Sequence, residues 1–390
     1  MNLRFLTAGE SHGPALVAIL EGMPAGMLLT EEMIAVELQR RQVGFGAGPR
    51  MKIEQDRARI LSGVMEGYTI GAPIALSIDN RDHAKWKGKQ IDPFTIPRPG
   101  HADLAGTIKY GYNDLRPALE RASARETAAR VAMGAICKQL LAQFGILVSG
   151  YIAAIGAVQA SLDSIPLEER LSLAESNDVR CPDPEAAEAM IRAIREIMQA
   201  RDTLGGVIEV VALGLPPGLG SHVQWDRKLE ARLAGAIMSV QAIKGVEIGP
   251  AFENAGLPGT MVQDPIMLEG DRLIRSSNRS GGLEGGVTTG QPLVIRAAMK
   301  PIATTLTPQQ SVDIHTGQPV LTKYERSDFC PVPRAVPILE AMAAFVLADA
   351  LLEKLGGDSL DEMKPRYSSL RQSRLSDFSV DGKNHVFWQE

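Results

Sequence analysis

The chain has 390 residues, enough for one large domain or two ordinary ones at about 150 residues each, and its 45% hydrophobic content allows a sizeable core. A formal net charge of −5 excludes a protein built mainly to bind nucleic acid. No run reaches the ~18 apolar residues of a membrane helix, no secretory leader is recognisable, and three scattered cysteines (Cys137, Cys181 and Cys330) fit a reducing compartment better than a disulfide framework, so the expectation is a soluble cytoplasmic protein.

In chain order, the first feature is GESHG at 9–13, three hydrogen-bonding side chains between glycines. That is poor core material and reads as a loop presenting His12. ALVAILEG (15–22) and APIALSI (72–78) read as strands bounded by glycine and proline. Between them, residues 30–41 read as a helix with Thr30 as N-cap and Glu31 and Glu32 in its first turn, where the helix dipole favours anions. Arg40, Arg41 and Arg50 surround the glycine-rich VGFGAGPRM (43–51), and RPGHAD (98–103) places Arg98 and His101 in a second loop. A long helix is predicted over 123–144, with Ser123 and Glu126 at capping-box spacing and a stop at Gly145. Further helices are predicted over 184–201, 226–243 and 337–355, the last ending at Gly356–Gly357.

The two halves of the sequence resemble each other. EGMPAG (21–26) is matched by LGLPPG (213–218), GYTIGAPIAL (67–76) by GVTTGQPLVI (286–295), RP (98–99) by KP (300–301), ERAS (120–123) by ERSD (325–328), and QLLAQFG (139–145) by ALLEKLG (350–356). The order is kept, at offsets of roughly 190 to 220 residues. The reading is a duplicated α/β unit with pseudo-twofold symmetry, its halves at about 1–150 and 205–357 within a single domain 1–370, followed by a tail, 371–390. A cleft between the halves is the expected ligand site.

Arg40, Arg41, Arg50, Arg98, Arg121, Arg125, Lys300 and Arg326 cluster at loops and helix starts. The planar guanidinium fork suits phosphate and carboxylate groups, so the set predicts an anion site. His12 and His101, each in a glycine-containing loop, are the candidate proton carriers. The sequence has no HExxH, paired CxxC, Walker A or GxSxG motif, which argues against zinc, nucleoside triphosphate and serine-hydrolase chemistry.

GESHG, RPGHADLAGTIKYG, RASARET, GGLEGGVTTG, MKPIATT and ERSDFCPVP, in that order, resemble the chorismate synthases. The resemblance runs from Leu6 to about residue 356 and does not cover the tail from about Arg374. It implies an α+β sandwich of helices and mainly antiparallel sheets. The implied activity is a lyase that converts 5-enolpyruvylshikimate 3-phosphate to chorismate by 1,4-anti elimination of phosphate, in the shikimate pathway of aromatic amino acid biosynthesis. The implied cofactor is reduced FMN, with NADPH as a further reductant left open, and the implied assembly is a homotetramer. Carried over residue by residue, the resemblance makes His12 the acid for the departing phosphate. It sets His101 near the flavin N1 region and Asp328 near its N5. Ser11, Arg41, Arg50, Arg98, Ser123, Arg125 and Arg326 are then expected at the substrate. Arg121, Ala122, Ser123, Gln241, Ala242, Gly285, Lys300, Pro301, Ile302, Ala303, Thr304 and Arg326 are expected at FMN, and no metal is implied. The chain departs from the family pattern at Ala47, Pro49, Ala122 and Gln241; Arg40 or Arg50 stands close enough in sequence to replace the arginine missing at Ala47.

Overall fold

The computed structural model describes residues 3–47, 56–325, 327–384 and 387. The chain opens with β1 (Arg4–Ala8), β2 (Ala15–Glu21), α1 (Glu31–Gln42), β3 (Ala58–Ile60), the short hairpin β4 (Val64–Met65) and β5 (Tyr68–Thr69), and β6 (Ile74–Asp79). There follow α2 (Asp103–Tyr110), α3 (Arg116–Ala122) and α4 (Thr127–Ala142). The second stretch holds β7 (Leu147–Ile155), β8 (Val158–Gln159), α5 (Leu167–Ala174), α6 (Pro184–Gln199), β9 (Gly206–Leu213), α7 (Leu229–Met238) and β10 (Ile243–Ile248). After the short α8 (Ala251–Asn254) and α9 (Gly259–Val262) come the hairpins β11 (Ile266–Glu269) with β12 (Arg272–Arg275) and β13 (Leu283–Glu284) with β14 (Val287–Thr288). The chain continues through β15 (Leu293–Met299), β16 (Gln310–Val312), β17 (Pro319–Leu321), α10 (Val332–Leu355) and α11 (Leu360–Ser368).

The two main sheets are antiparallel throughout, in the orders β1-β2-β6-β3 and β10-β15-β9-β7-β8. Helix α4 packs on the first sheet and α10 on the second, and the two helices pack on each other, so they form the inner layer of a sandwich. Local sequence explains the layering. In β2 the inward Leu16, Ala18 and Leu20 are buried while Val17 and Ile19 alternate outward. Helix α10 is apolar around its whole circumference and is buried on all sides. It is long and apolar enough to cross a membrane, contrary to the expectation that no such stretch exists, and the apolar window lies entirely within the core. Gly134 of α4 lets the helices touch, since a Cβ there would lie 2.2 Å from the Cβ of Ala341 and 2.4 Å from its Cα.

The matched sequence segments occupy matched local structure. Thr69 Oγ1 donates to the Pro24 carbonyl at 2.6 Å and accepts from the Met27 amide at 3.0 Å. Thr288 Oγ1 donates to the Pro216 carbonyl at 2.7 Å and accepts from the Leu219 amide at 2.8 Å. GYTIGAPIAL and GVTTGQPLVI each supply the second strand of a two-residue hairpin and then a central strand of a main sheet. The strand order β1-β2-β6-β3 has its counterpart in β7-β9-β15-β10. Residues 147–150, placed with the first half by sequence, belong to β7 and so to the second sheet.

Helix boundaries differ from the sequence reading in three places. Residues 124–126 form a separate 3-10 turn capped by the Ser123 hydroxyl, and α4 starts only at Thr127. The capping box does not close, because the Glu126 carboxylate accepts from Thr7 Oγ1 and Arg130 Nε instead. Helix α10 begins at Val332, five residues before the expected start, because Pro333 sits in a first turn that needs no N–H and Pro337 is carried inside the helix. Helix α7 covers only Leu229–Met238 of the expected 226–243.

Candidate functional site

The β1–β2 connection is pinned from three directions. Gly9 adopts φ +114°, where a Cβ would sit 2.5 Å from the Ala15 carbonyl, so the tight entry to this loop requires glycine. The Asn80 side-chain amide donates to the Ser11 carbonyl at 2.7 Å, and His83 Nδ1–H donates to the His12 carbonyl at 2.9 Å. Glu120, at the end of α3, receives the rest: its carbonyl accepts from the Ser11 amide at 3.1 Å and its Oε2 from the His12 amide at 2.9 Å. Glu120 Oε1 also lies 2.8 Å from His12 Nδ1, and the His12 ring packs against Trp86 with centroids 4.2 Å apart. Burial works against the ionised Glu120 carboxyl, but the His12 hydrogen bond and charge, with Arg116 nearby, hold it below the ordinary carboxylate range.

A second histidine–carboxylate pair stands across the space. His101 Nδ1 lies 2.6 Å from Oδ1 of Asp103, which is fully buried. The same carboxylate accepts from Arg98 three times: the backbone amide at 3.1 Å, Nε at 2.8 Å and Nη2 at 2.9 Å. Burial alone would raise the Asp103 carboxyl, yet the hydrogen bonds and charges of His101 and Arg98 hold it well below the usual range. Arg98 Nη1 reaches on to Thr304 Oγ1 at 3.0 Å. Nearby, Lys300 Nζ donates to the Gly100 carbonyl at 3.0 Å, which ties RPG of the first half to KP of the second.

Ser11, His12, Trp86, Arg98, His101, Lys300 and Thr304 line one cavity of about 540 Å³, within the range of ordinary small-molecule sites. Both halves of the sequence contribute: residues between Ser11 and Thr127 on one side, and between Met238 and Ile338 on the other. Among the described residues its wall carries six Lys or Arg side chains (Arg41, Arg98, Arg125, Lys244, Lys300 and Arg334) against two carboxylates (Glu325 and Asp328), a cationic interior in a chain of net charge −5. Arg41 donates from Nε to Thr127 Oγ1 at 3.0 Å and from Nη2 to the Ala124 carbonyl at 3.0 Å. Arg41 and Arg125 share Asp56, at 3.4 and 2.7 Å. The same cavity is also lined by apolar side chains, among them Leu119, Met238, Val240, Met299 and Ile302. Ala242 holds φ +67°, a backbone conformation that non-glycine residues adopt at a cost of about 1–2 kcal/mol.

Of the residues singled out in sequence, the cavity gathers Ser11, His12, Arg41, Arg98, His101, Ala122, Ser123, Arg125, Gln241, Ala242, Lys300, Ile302, Ala303, Thr304 and Asp328. Arg50 and Arg326 lie outside the described residues. Three others do not line it. Arg121 donates to Thr7, Pro301 is exposed, and Gly285 forms the tight turn between β13 and β14. Arg40 does not replace the arginine missing at Ala47, because its guanidinium is committed to Glu37, Glu175 and the fully buried Glu340. Sequence reasoning passed over Trp86, Glu120, Asp103, Asp56 and Arg334. Asp103 and Glu120 sit inside motifs already quoted, and a carboxylate two residues after His101 is a recognisable signal; Trp86 and Asp56 carry none.

The family model described as Chorismate synthase matches residues 3–352. The chain is 53% identical over 379 residues to the chorismate synthase of Trichlorobacter lovleyi, covering 93% of this chain and 97% of that one. It is 52% identical over 381 residues to that of Desulforamulus reducens, covering 95% and 98%. A solved structure titled "Crystal Structure of Chorismate Synthase" superposes with a TM-score of 0.77 at 47% identity, covering 94% of this chain and 97% of that one. With the matching fold and the shared motifs of its cavity, the chain belongs to the chorismate synthase family of enzymes, lyases of the shikimate pathway.

Proposed function

We propose that the cavity converts 5-enolpyruvylshikimate 3-phosphate to chorismate and phosphate by 1,4-anti elimination, with reduced FMN as cofactor. The observation that carries this reading is the pairing of two histidines, each with a carboxylate at Nδ1, on the wall of one cationic cavity. The residues present fit a flavin: an apolar wall suits a flat ring system, and cations with backbone carbonyls and amides suit its polar edge. Gln241 Oε1 is buried at the cavity wall without a hydrogen-bond partner among the described residues, an acceptor that a ligand N–H would satisfy. Reduced FMN would supply electron density as phosphate departs and take up the C6 hydrogen, which no carbonyl acidifies.

The chain's own residues bind, orient and protonate. Arg41, Arg98, Arg125 and Lys300 balance the charge of a substrate with one phosphate and two carboxylates. His12, held through Nδ1 by an ionised Glu120, keeps Nε2 for the leaving phosphate oxygen, and the neighbouring carboxylate stabilises its protonated form. Asp103 holds His101 in the same manner, next to the expected flavin position. Asp328 assists proton traffic there, and Ser11 and Ser123 hold the substrate. A cytoplasmic location and a homotetrameric assembly belong to the same reading. So does duplication: the shared strand order and the matched Thr69 and Thr288 bonds support two units related by an approximate twofold axis. Superposing the units in a crystal structure tests that, since Thr69 must fall on Thr288.

The test of mechanism is His12→Ala. Turnover with substrate and reduced FMN under anaerobic conditions should fall by about 10²–10⁴-fold, the usual contribution of a general acid, while FMN binding by fluorescence stays within a few-fold. A variant within twofold of the parent would remove His12 from the reaction.

A further inference from the structure

We propose that Arg334 is a positioning residue that fixes the Asp328 carboxylate and couples it to the end of α1, where Arg41 enters the cavity. The inference rests on the role given above to Asp328. That residue lies between β17 and α10, where the described residues form neither helix nor strand, and its carboxylate is met from outside that stretch by Arg334. Arg334 lies in the first turn of α10, the most deeply buried helix of the fold, and its Nη1 donates to Asp328 Oδ2. Its Nε donates to the Arg41 carbonyl at 3.1 Å, one of the carbonyls that α1 leaves unsatisfied at its C-terminus.

A cation in the first turn of a helix opposes the helix dipole, and the first turn of α10 holds no acidic residue to offset it. The placement therefore calls for partners elsewhere, and among the described residues these are Asp328 and the end of α1. Neighbouring contacts tie the same parts together: the amides of Phe329 and Cys330 both donate to the Gly46 carbonyl, at 3.0 and 3.4 Å, and Arg180 donates to the carbonyls of Arg40 and Pro333. A shift of α1 or of the segment after it is thus transmitted through Arg334 to Asp328. With both side chains only slightly exposed (13% and 15%), solvent replaces little of this restraint.

The experiment is a double-mutant cycle on the full-length enzyme with reduced FMN: parent, Arg334→Gln, Asp328→Asn and the double variant, with Arg334→Lys as the conservative control. Arg334→Gln should lower kcat at least tenfold while KM for substrate changes little. Arg334→Lys should recover most of kcat, since an ammonium still reaches the carboxylate. In the Asp328→Asn background, adding Arg334→Gln should lower kcat less than threefold further, because the residue acts through Asp328. An equal loss in both backgrounds, or no loss in the single variant, overturns the coupling. If Asp328→Asn alone turns over like the parent, the assignment of Asp328 itself fails, and the two results are distinguishable.

Discussion

Asp103→Asn tests the second histidine pair most severely, because the replacement is nearly isosteric and the consequence follows from counting donors. Asp103 Oδ1 accepts from Arg98 Nη2 and His101 Nδ1, and Oδ2 accepts from the Arg98 amide and Nε. Every partner is a donor. Whichever way the asparagine amide is turned, its NH2 faces two of them. With the NH2 at the Oδ1 position, His101 can switch tautomer and accept through Nδ1, so at least one hydrogen bond from Arg98 is lost at a fully buried position, at about 1–3 kcal/mol for each group left unsatisfied. Arg98 also loses its counter-charge, and removing one partner from a buried pair costs about 3–5 kcal/mol in all, so the expected loss of stability at pH 7 is ~3–5 kcal/mol. The pH dependence has a definite sign. The Asp103 carboxyl is depressed in the folded protein, so its contribution is complete above its ordinary value of 3.8 and is lost as pH falls through the folded value. Urea midpoints for parent and variant, taken from pH 7 down to pH 3, should show a gap that is constant above about pH 5 and narrows on acidification. A gap under 1 kcal/mol at pH 7, or one that widens toward acid, would refute the reasoning.

Glu120→Gln should lower kcat by about 10–100-fold with little change in KM, a fraction of the general-acid contribution, since the amide keeps an acceptor for His12 but not the charge that stabilises its protonated ring. Steady-state kinetics decide this, and an unchanged kcat removes Glu120 from that role. Gly134→Ala forces α4 and α10 apart, because the new Cβ would lie 2.2 Å from that of Ala341; overpacking costs typically about 1–3 kcal/mol, and a contact this close to backbone should reach ~3 kcal/mol in chemical denaturation. A variant as stable as the parent would mean that the helices are not held at that separation.

How much was legible in the sequence varies with the kind of signal. Local chemistry was readable: Thr30 caps α1 as expected, and α6 opens at Pro184 as predicted. The strands β2 and β6 stand within a residue or two of their predicted bounds because glycine and proline mark their ends. The matched Thr–Pro segments were readable because the same local turn occurs at Thr69 and at Thr288. What failed depends on distant partners. Glu126 has the spacing of a capping box, but Thr7, far away in sequence, claims its carboxylate together with Arg130 one turn further along α4. Arg40 and Arg41 are adjacent and look alike. Helical geometry points one at the buried Glu340 and the other at the cavity, and only the packing of α1 between α4 and α10 shows which is which. Trp86 and Asp56 join the site through long-range contacts that no motif announces.

The most direct measurement of the central claim is phosphate release from 5-enolpyruvylshikimate 3-phosphate under anaerobic conditions, with a limiting amount of dithionite-reduced FMN and the flavin spectrum recorded throughout. The account predicts many phosphates released per flavin, with the flavin still reduced at the end, because the elimination needs reduced flavin but consumes no net electrons. Release that stops at one phosphate per flavin, with the flavin oxidised in step, would contradict it.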